Sequence, residues 1–215
     1  MIRAVSSNEF FTILIIASLL IVARAKLLSP KRFSDFVFVV GRSKYLKIYA
    51  REQKFFDRFD ALLFTNLVIS SAIFIFILYQ YLTGTSGISI NLLFKLAFGI
   101  GAYLLIKVLI ERLIGSLFEI DKLIDEYLFQ KITYKNYLGL ILLIVNAFLI
   151  FTLVPSLALF YVIGGALLLV NIIGLITSFK THQSLIKNNI FYFILYLCAL
   201  EIAPYIVLYK VFVSN

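Results

Sequence analysis

Apolar residues run almost unbroken over positions 10–23, 61–82, 92–110, 138–177 and 190–213, and polar residues crowd into the stretches between them. Each run is measured against the roughly 20 residues that a helix needs to cross a hydrocarbon core about 30 Å thick. The first holds fourteen uninterrupted apolar or small residues, and its helix extends from a Ser6-to-Glu9 capping box to Leu28, ahead of Pro30. The forty residues of 138–177 would measure roughly 60 Å as one helix, about twice the core thickness, so this run folds back at Pro155-Ser156. Six spans result, at about 8–28, 61–82, 92–110, 138–154, 157–177 and 190–212. The expected fold class is all-α: a polytopic transmembrane helix bundle forming a single integral membrane domain over 1–215, with two amphipathic segments at the interface.

The first of those segments is 24–58. Ser29-Pro30 offers an N-cap followed by proline at the first helical position. Phe33, Phe36, Val37 and Val40 then recur at helical spacing. Arg42, Lys44, Lys47, Arg51 and Lys54 alternate with Tyr45, Ile48, Tyr49, Phe55 and Phe56, as in a segment lying in the headgroup plane. Such a segment serves either as a snorkelling flank that fixes topology or as a docking site for a lipid headgroup or a soluble partner. Arg42, Lys44, Lys47, Arg51, Glu52 and Arg112 are the interface candidates. In the second segment, 111–137, Leu113, Ile114, Leu117, Ile120, Ile124, Tyr127 and Leu128 form a stripe beside Glu111, Glu119, Asp121, Asp125 and Glu126. This pattern reads as an amphipathic extension of the third helix, whose apolar face needs cover.

Charge sets the orientation. Segments 24–58, 111–137 and 178–189 hold sixteen of the twenty lysines and arginines, whereas the opposite side has only Arg3 and Lys210. By the positive-inside rule the basic segments are cytoplasmic and both termini periplasmic. The formal charge of +9 does not indicate nucleic acid, because the basic residues are interleaved with apolar runs instead of forming a soluble basic face. A bilayer carrying anionic headgroups is the fitting electrostatic partner. With 62% hydrophobic and 14% charged residues, the chain lies far from the roughly 45–50% and about 25% of soluble domains. Its one cysteine, Cys198, excludes an intramolecular disulfide framework. No small-x-small cleavage site follows the first run, which is therefore expected to be retained as a helix.

Ionisable groups inside a span are costly and so informative. Glu201 lies near the middle of the last span, where an acidic side chain costs about 3 kcal/mol on insertion scales. Pro204, three residues on, frees a backbone carbonyl near it. A structural hydrogen bond, proton or ion coupling, and a ligand contact are its open roles. Asn146 is level with Glu201, and Asn171 lies about 6 Å to the cytoplasmic side of its span's centre. Lys95 and Lys107 lie about 9 Å either side of the midpoint of the third helix, and both can snorkel. Lys107 with Glu111 and Arg112 reads as an interfacial anchor, and Gly99, Gly101, Gly164, Gly165 and Gly174 read as points of close helix approach.

Missing residues narrow the chemistry. A single histidine, His182, allows neither an HExxH zinc site nor a multi-histidine centre, so no metal or cofactor is expected. The spans contain no aspartate pair, and the chain has neither a G-x-S-x-G elbow nor a Walker loop. An enzyme would have to rely on Glu201 or Cys198, and apolar burial works against a thiolate at Cys198.

The string Phe191-Tyr192-Phe193-Ile194-Leu195-Tyr196-Leu197-Cys198-Ala199-Leu200-Glu201-Ile202-Ala203-Pro204 is joined by Leu28-Ser29-Pro30-Lys31-Arg32-Phe33 and Arg51-Glu52-Gln53. Together they resemble, over nearly the whole chain, an uncharacterised multi-pass family of Bacteroidota known only as a domain of unknown function. The resemblance implies the inner membrane of a Gram-negative cell and transfers no activity. The leading expectation is a non-enzymatic subunit or scaffold of a cell-envelope complex, meeting membrane-protein partners or a second copy of itself. The alternatives are a small proton-coupled transporter using Glu201 and a lipid-modifying enzyme, the latter supported only by the basic surface.

Overall fold

In lipid, backbone polar groups must be bonded within their own segment, so apolar runs become helices and the polar breaks decide where each one stops. The computed structural model describes residues 9–41, 44–49, 57–84, 89–117 and 121–181, and the regular elements among them are all helical. They are α1 (Glu9–Leu28), α2 (Pro30–Val37), α3 (Lys44–Tyr49), α4 (Arg58–Thr83), α5 (Ile90–Leu117), α6 (Asp121–Phe151) and α7 (Leu157–Thr181). Five of these, α1, α4, α5, α6 and α7, are long and apolar enough to cross a membrane. The chain is a helical membrane protein. The expected span at 190–212 lies outside the described residues, with Glu201, Pro204 and Cys198, and so do Arg42, Arg51 and Glu52.

The helix ends follow local chemistry. Pro30 opens α2 at its first turn, while the Ser29 side chain makes no capping bond. Asp57 caps α4 by accepting the Asp60 N–H at 2.9 Å, and Gly84 closes that helix in the left-handed region at φ 66°. Between α6 and α7 the Thr152 and Leu153 N–H groups both return to the Phe148 carbonyl, and Pro155 stands in the non-helical link ahead of Leu157.

Two amphipathic readings change. Segment 111–137 is not one extension of the third helix, because α5 stops at Leu117 and Asp121 begins a new helix that continues to Phe151. The stripe is split accordingly: Leu113 and Leu117 stay exposed on α5, whereas Ile124, Tyr127 and Leu128 are buried on α6. Turning the chain back lets Ile124 pack onto Gly115, where a Cβ would come within 2.9 Å of it, and supplies the cover that the stripe needs. At 31 residues α6 measures roughly 46 Å, more than a hydrocarbon core requires. Its surplus length forms a protein surface at one end of the bundle.

Segment 24–58 uses that surface, and its aromatic residues do not all face headgroups. Phe36, Val39, Tyr45 and Leu46 are each 1% exposed and share a core with Ala25, Phe59, Leu63, Phe129 and Tyr134. Tyr45 stacks on Phe129 at 5.8 Å, and Phe36 meets Phe59 edge-on at 6.0 Å. Rings offering both faces and edges pack better against one another than against a mobile interface. A second core at the far end joins Phe11, Ile73, Phe76, Ile77, Leu93, Leu149 and Phe160.

The α4–α6 pair forms the centre, with α1 against α4, α5 against both, and α7 against α6. Helices in lipid gain from close packing instead of from expelling water. Gly139 provides the closest approach: a Cβ there would sit 2.7 Å from the Leu67 Cα, backbone that cannot swing away. Of the glycines expected at contacts, Gly174 is tight against the Tyr134 ring and Gly101 is in ordinary contact with Val68. Among the described residues, Gly99, Gly164 and Gly165 meet no neighbour within 4 Å.

Candidate functional site

A charge under apolar cover is tolerable only when an opposite charge and hydrogen bonds accompany it. Arg32, on α2, is the clearest case. One guanidinium nitrogen pairs with Asp57, another reaches Asp60 at 2.9 Å, and Nε donates to the Tyr45 hydroxyl at 3.2 Å. Its plane lies over the rings of Phe59, at 4.6 Å, and Tyr49, at 5.4 Å. Burial opposes the arginine charge, but the Asp60 carboxylate and the hydrogen bonds accepted by Tyr45 and Asp57 outweigh it and hold the pKa above the ordinary value. Burial pushes the Tyr45 phenol up, Asp60 adds to this, and Arg32 only partly opposes it, so Tyr45 stays neutral. Asp57 thus serves twice, capping α4 through one oxygen and holding Arg32 through the other.

A second cluster joins α5 to α6. Glu111 is fully buried; Lys131 Nζ is 2.5 Å from its Oε1 and Lys107 Nζ is 4.0 Å from the same oxygen. Lys131 also lies 5.7 Å from the Tyr127 ring centre. Lys107 is therefore no snorkelling anchor: its side chain is 8% exposed, and it reaches along its own helix toward Glu111. The N-terminal half of α6, the part beyond what a hydrocarbon core requires, covers it.

A third group is neutral and deeper. Asn146 is fully buried on α6 and donates to the Ser70 carbonyl of α4 at 2.8 Å, while the Ser70 hydroxyl lies 3.4 Å from Asn66 Oδ1. Asn171 does not join them; it bonds the Leu167 carbonyl of its own helix at 3.0 Å. Lys95 is exposed near the start of α5, and Arg112 forms a surface pair with Asp125 at 3.6 Å. Lys44 and Lys47 stand on α3.

The sequence reading missed Arg32, Asp57, Asp60, Lys131, Asn66 and Ser70 as site residues. Asp57 and Asp60 carried a usable signal, since an acid followed three residues later by another, just before an apolar run, marks a helix start. Arg32 carried none that separates it from its nine basic neighbours in 24–58. Among the described residues, no three or more His, Cys, Asp or Glu side chains gather as a metal site. An apolar furrow of about 320 Å³ between α1 and α6 is lined by Ile15, Leu19, Leu143, Ile144, Phe148 and their neighbours. The charged clusters therefore join helices and do not open into that furrow.

Residues 11–212 match the family described as "Domain of unknown function (DUF4271)". No curated protein and no solved structure matches the chain.

Proposed function

Since the chain belongs to the DUF4271 family, from which no activity carries over, we propose from its own geometry that it is a non-enzymatic membrane subunit or scaffold of a cell-envelope complex. The observation that carries this reading is how the costly side chains are used. Arg32 pairs with Asp57 and Asp60, and Lys131 with Glu111, across helices, while Lys107 reaches Glu111 along α5. Such pairing fixes one arrangement of helices and leaves these groups engaged with one another, away from any substrate. Meanwhile α5 presents Phe94, Phe98, Leu105 and Leu109 outward along one stripe, a surface suited to lateral contact. The distribution of lysine and arginine supports a bacterial inner-membrane protein with its basic end in the cytoplasm and both termini periplasmic. The test is purification of the tagged full chain in gentle detergent, with mass spectrometry of what stays bound. A stoichiometric membrane-protein partner is expected; a chain recovered alone, at full yield and intact, contradicts the reading.

A second reading, a small proton-coupled carrier, draws support from the neutral cluster. Asn66, Ser70 and Asn146 place buried polar groups well inside α4 and α6, where transporters keep their sites. Glu201 would be the proton carrier. Loss of a substrate-uptake phenotype in Glu201→Gln, with normal protein level, favours it; unchanged uptake removes it.

A further inference from the structure

The α2–α3 layer has two unlike faces. Inward, Phe36, Val39, Tyr45 and Leu46 are buried and Arg32 is held by Asp57 and Asp60. Outward, five large apolar side chains remain open around the end of α1: Leu27 at 81%, Phe38 at 59%, Leu28 at 47%, Ile48 at 41% and Val37 at 38% exposure. Arg24 and Lys26 on the last turns of α1, Lys31 on α2 and Arg58 at the start of α4 are exposed as well. Segment 24–58 as a whole carries ten lysines and arginines against three acids, and one of those acids, Asp57, is bonded to Arg32. The open face is therefore cationic as well as apolar.

We propose that this outer face binds the anionic phospholipids of the surrounding bilayer, with Arg24, Lys26 and Lys31 meeting headgroup phosphates while Phe38 and Ile48 enter the acyl boundary. Three observations fix the occupant. Leu27 and Leu28 close a helix just long enough to cross a hydrocarbon core, so the patch begins at the edge of that core. Pro30 ends that helix and starts a short one directly, which keeps Lys31 and Phe38 beside the same boundary. The exposed charges named, Arg24, Lys26, Lys31 and Arg58, are all positive, which complements phosphate and makes a second copy of the same face a poor partner. A lipid surface satisfies both halves of the patch together, whereas water satisfies only the cations. Anchored from inside by Arg32, the layer presents a preformed site. The inference does not depend on the scaffold reading.

The experiment uses the purified full chain in detergent, delipidated and then offered equal phosphatidylglycerol and phosphatidylcholine, with native mass spectrometry of the bound lipid. Preference for phosphatidylglycerol is expected, and removing three cations in Arg24→Gln/Lys26→Gln/Lys31→Gln should lower it by about tenfold or more. Lys95→Gln, which removes an exposed cation near the start of α5 and outside this patch, should leave it unchanged. In the unaltered protein the preference should fall steeply as salt is raised, a readout that holds even if the triple variant fails to fold. Inorganic phosphate should not displace the lipid, because it lacks the acyl chains that Phe38 and Ile48 require. The proposal is overturned by equal retention of both lipids, by a triple variant that keeps its preference, by an equal loss in Lys95→Gln, or by full displacement with phosphate.

Discussion

At the junction of α2 with α4 one guanidinium faces two carboxylates, whereas between α5 and α6 one carboxylate faces two ammonium groups. The first cluster ties a connecting layer to the start of a span; the second ties two spans to each other. Arginine suits the first because its planar fork bonds three partners at once in fixed directions. Lysine suits the second, where flexible stems converge on one buried oxygen and their apolar length packs along the helices. The first cluster also gains from position, since Asp57 and Asp60 sit at the positive end of the α4 helix dipole. The two clusters therefore should not fail alike.

The largest effect is expected at Arg32. Arg32→Met leaves two carboxylates beside an aromatic core without their counter-charge and should destabilise the protein by about 3 kcal/mol. Arg32→Lys should recover only part of this, because an ammonium cannot reproduce the fork. Denaturant titration in detergent followed by circular dichroism measures both, and native-like stability of Arg32→Met would contradict the assigned role. Next comes Glu111→Gln, at about 2 kcal/mol: the lysines lose the carboxylate between them, yet their long stems let them move toward water. A larger loss here than at Arg32 would reverse the comparison.

Tyr45→Phe removes only the hydroxyl that accepts from Arg32 Nε and keeps the ring stacked on Phe129, so about 1 kcal/mol is expected. The same unfolding assay applies, and no change would mean that the aromatic packing carries the contact. The smallest effect belongs to Arg112→Gln. Its pair with Asp125 has both side chains nearly half exposed, at 44% and 48%, and should contribute below about 0.5 kcal/mol. A loss matching that of Glu111→Gln would show that burial is not what separates these pairs.

Much of this architecture was legible beforehand. Spans at 61–82 and 157–177 match α4 and α7 closely because hydrocarbon thickness and apolar run length are one-dimensional quantities. Pro155 and Pro30 were readable as breaks for a similar reason, each lacking the N–H that a helix interior requires. The join between 111–137 and 138–154 was not readable. An amphipathic stripe has the same period whether it ends one helix or begins the next, and only the return of α6 past Gly115 distinguishes them. The charged clusters were still less visible. Lys107 was noticed for its depth, but Lys131, twenty residues beyond Glu111, owes its role to the packing of α5 on α6.

The sequence by itself determined that this chain is a helical membrane protein and where most of its helices lie. Each of these follows from the transfer of single side chains and backbone groups between water and lipid, which needs no knowledge of neighbours. Only the tertiary structure decided that α4 and α6 form the centre, that Gly139 marks their close crossing, and that Arg32 differs from the cations around it. Those outcomes depend on pairs of residues far apart in the chain, as Arg32 and Asp60 are at 28 positions, and the burial that gives such a pair its strength exists only once the helices have packed.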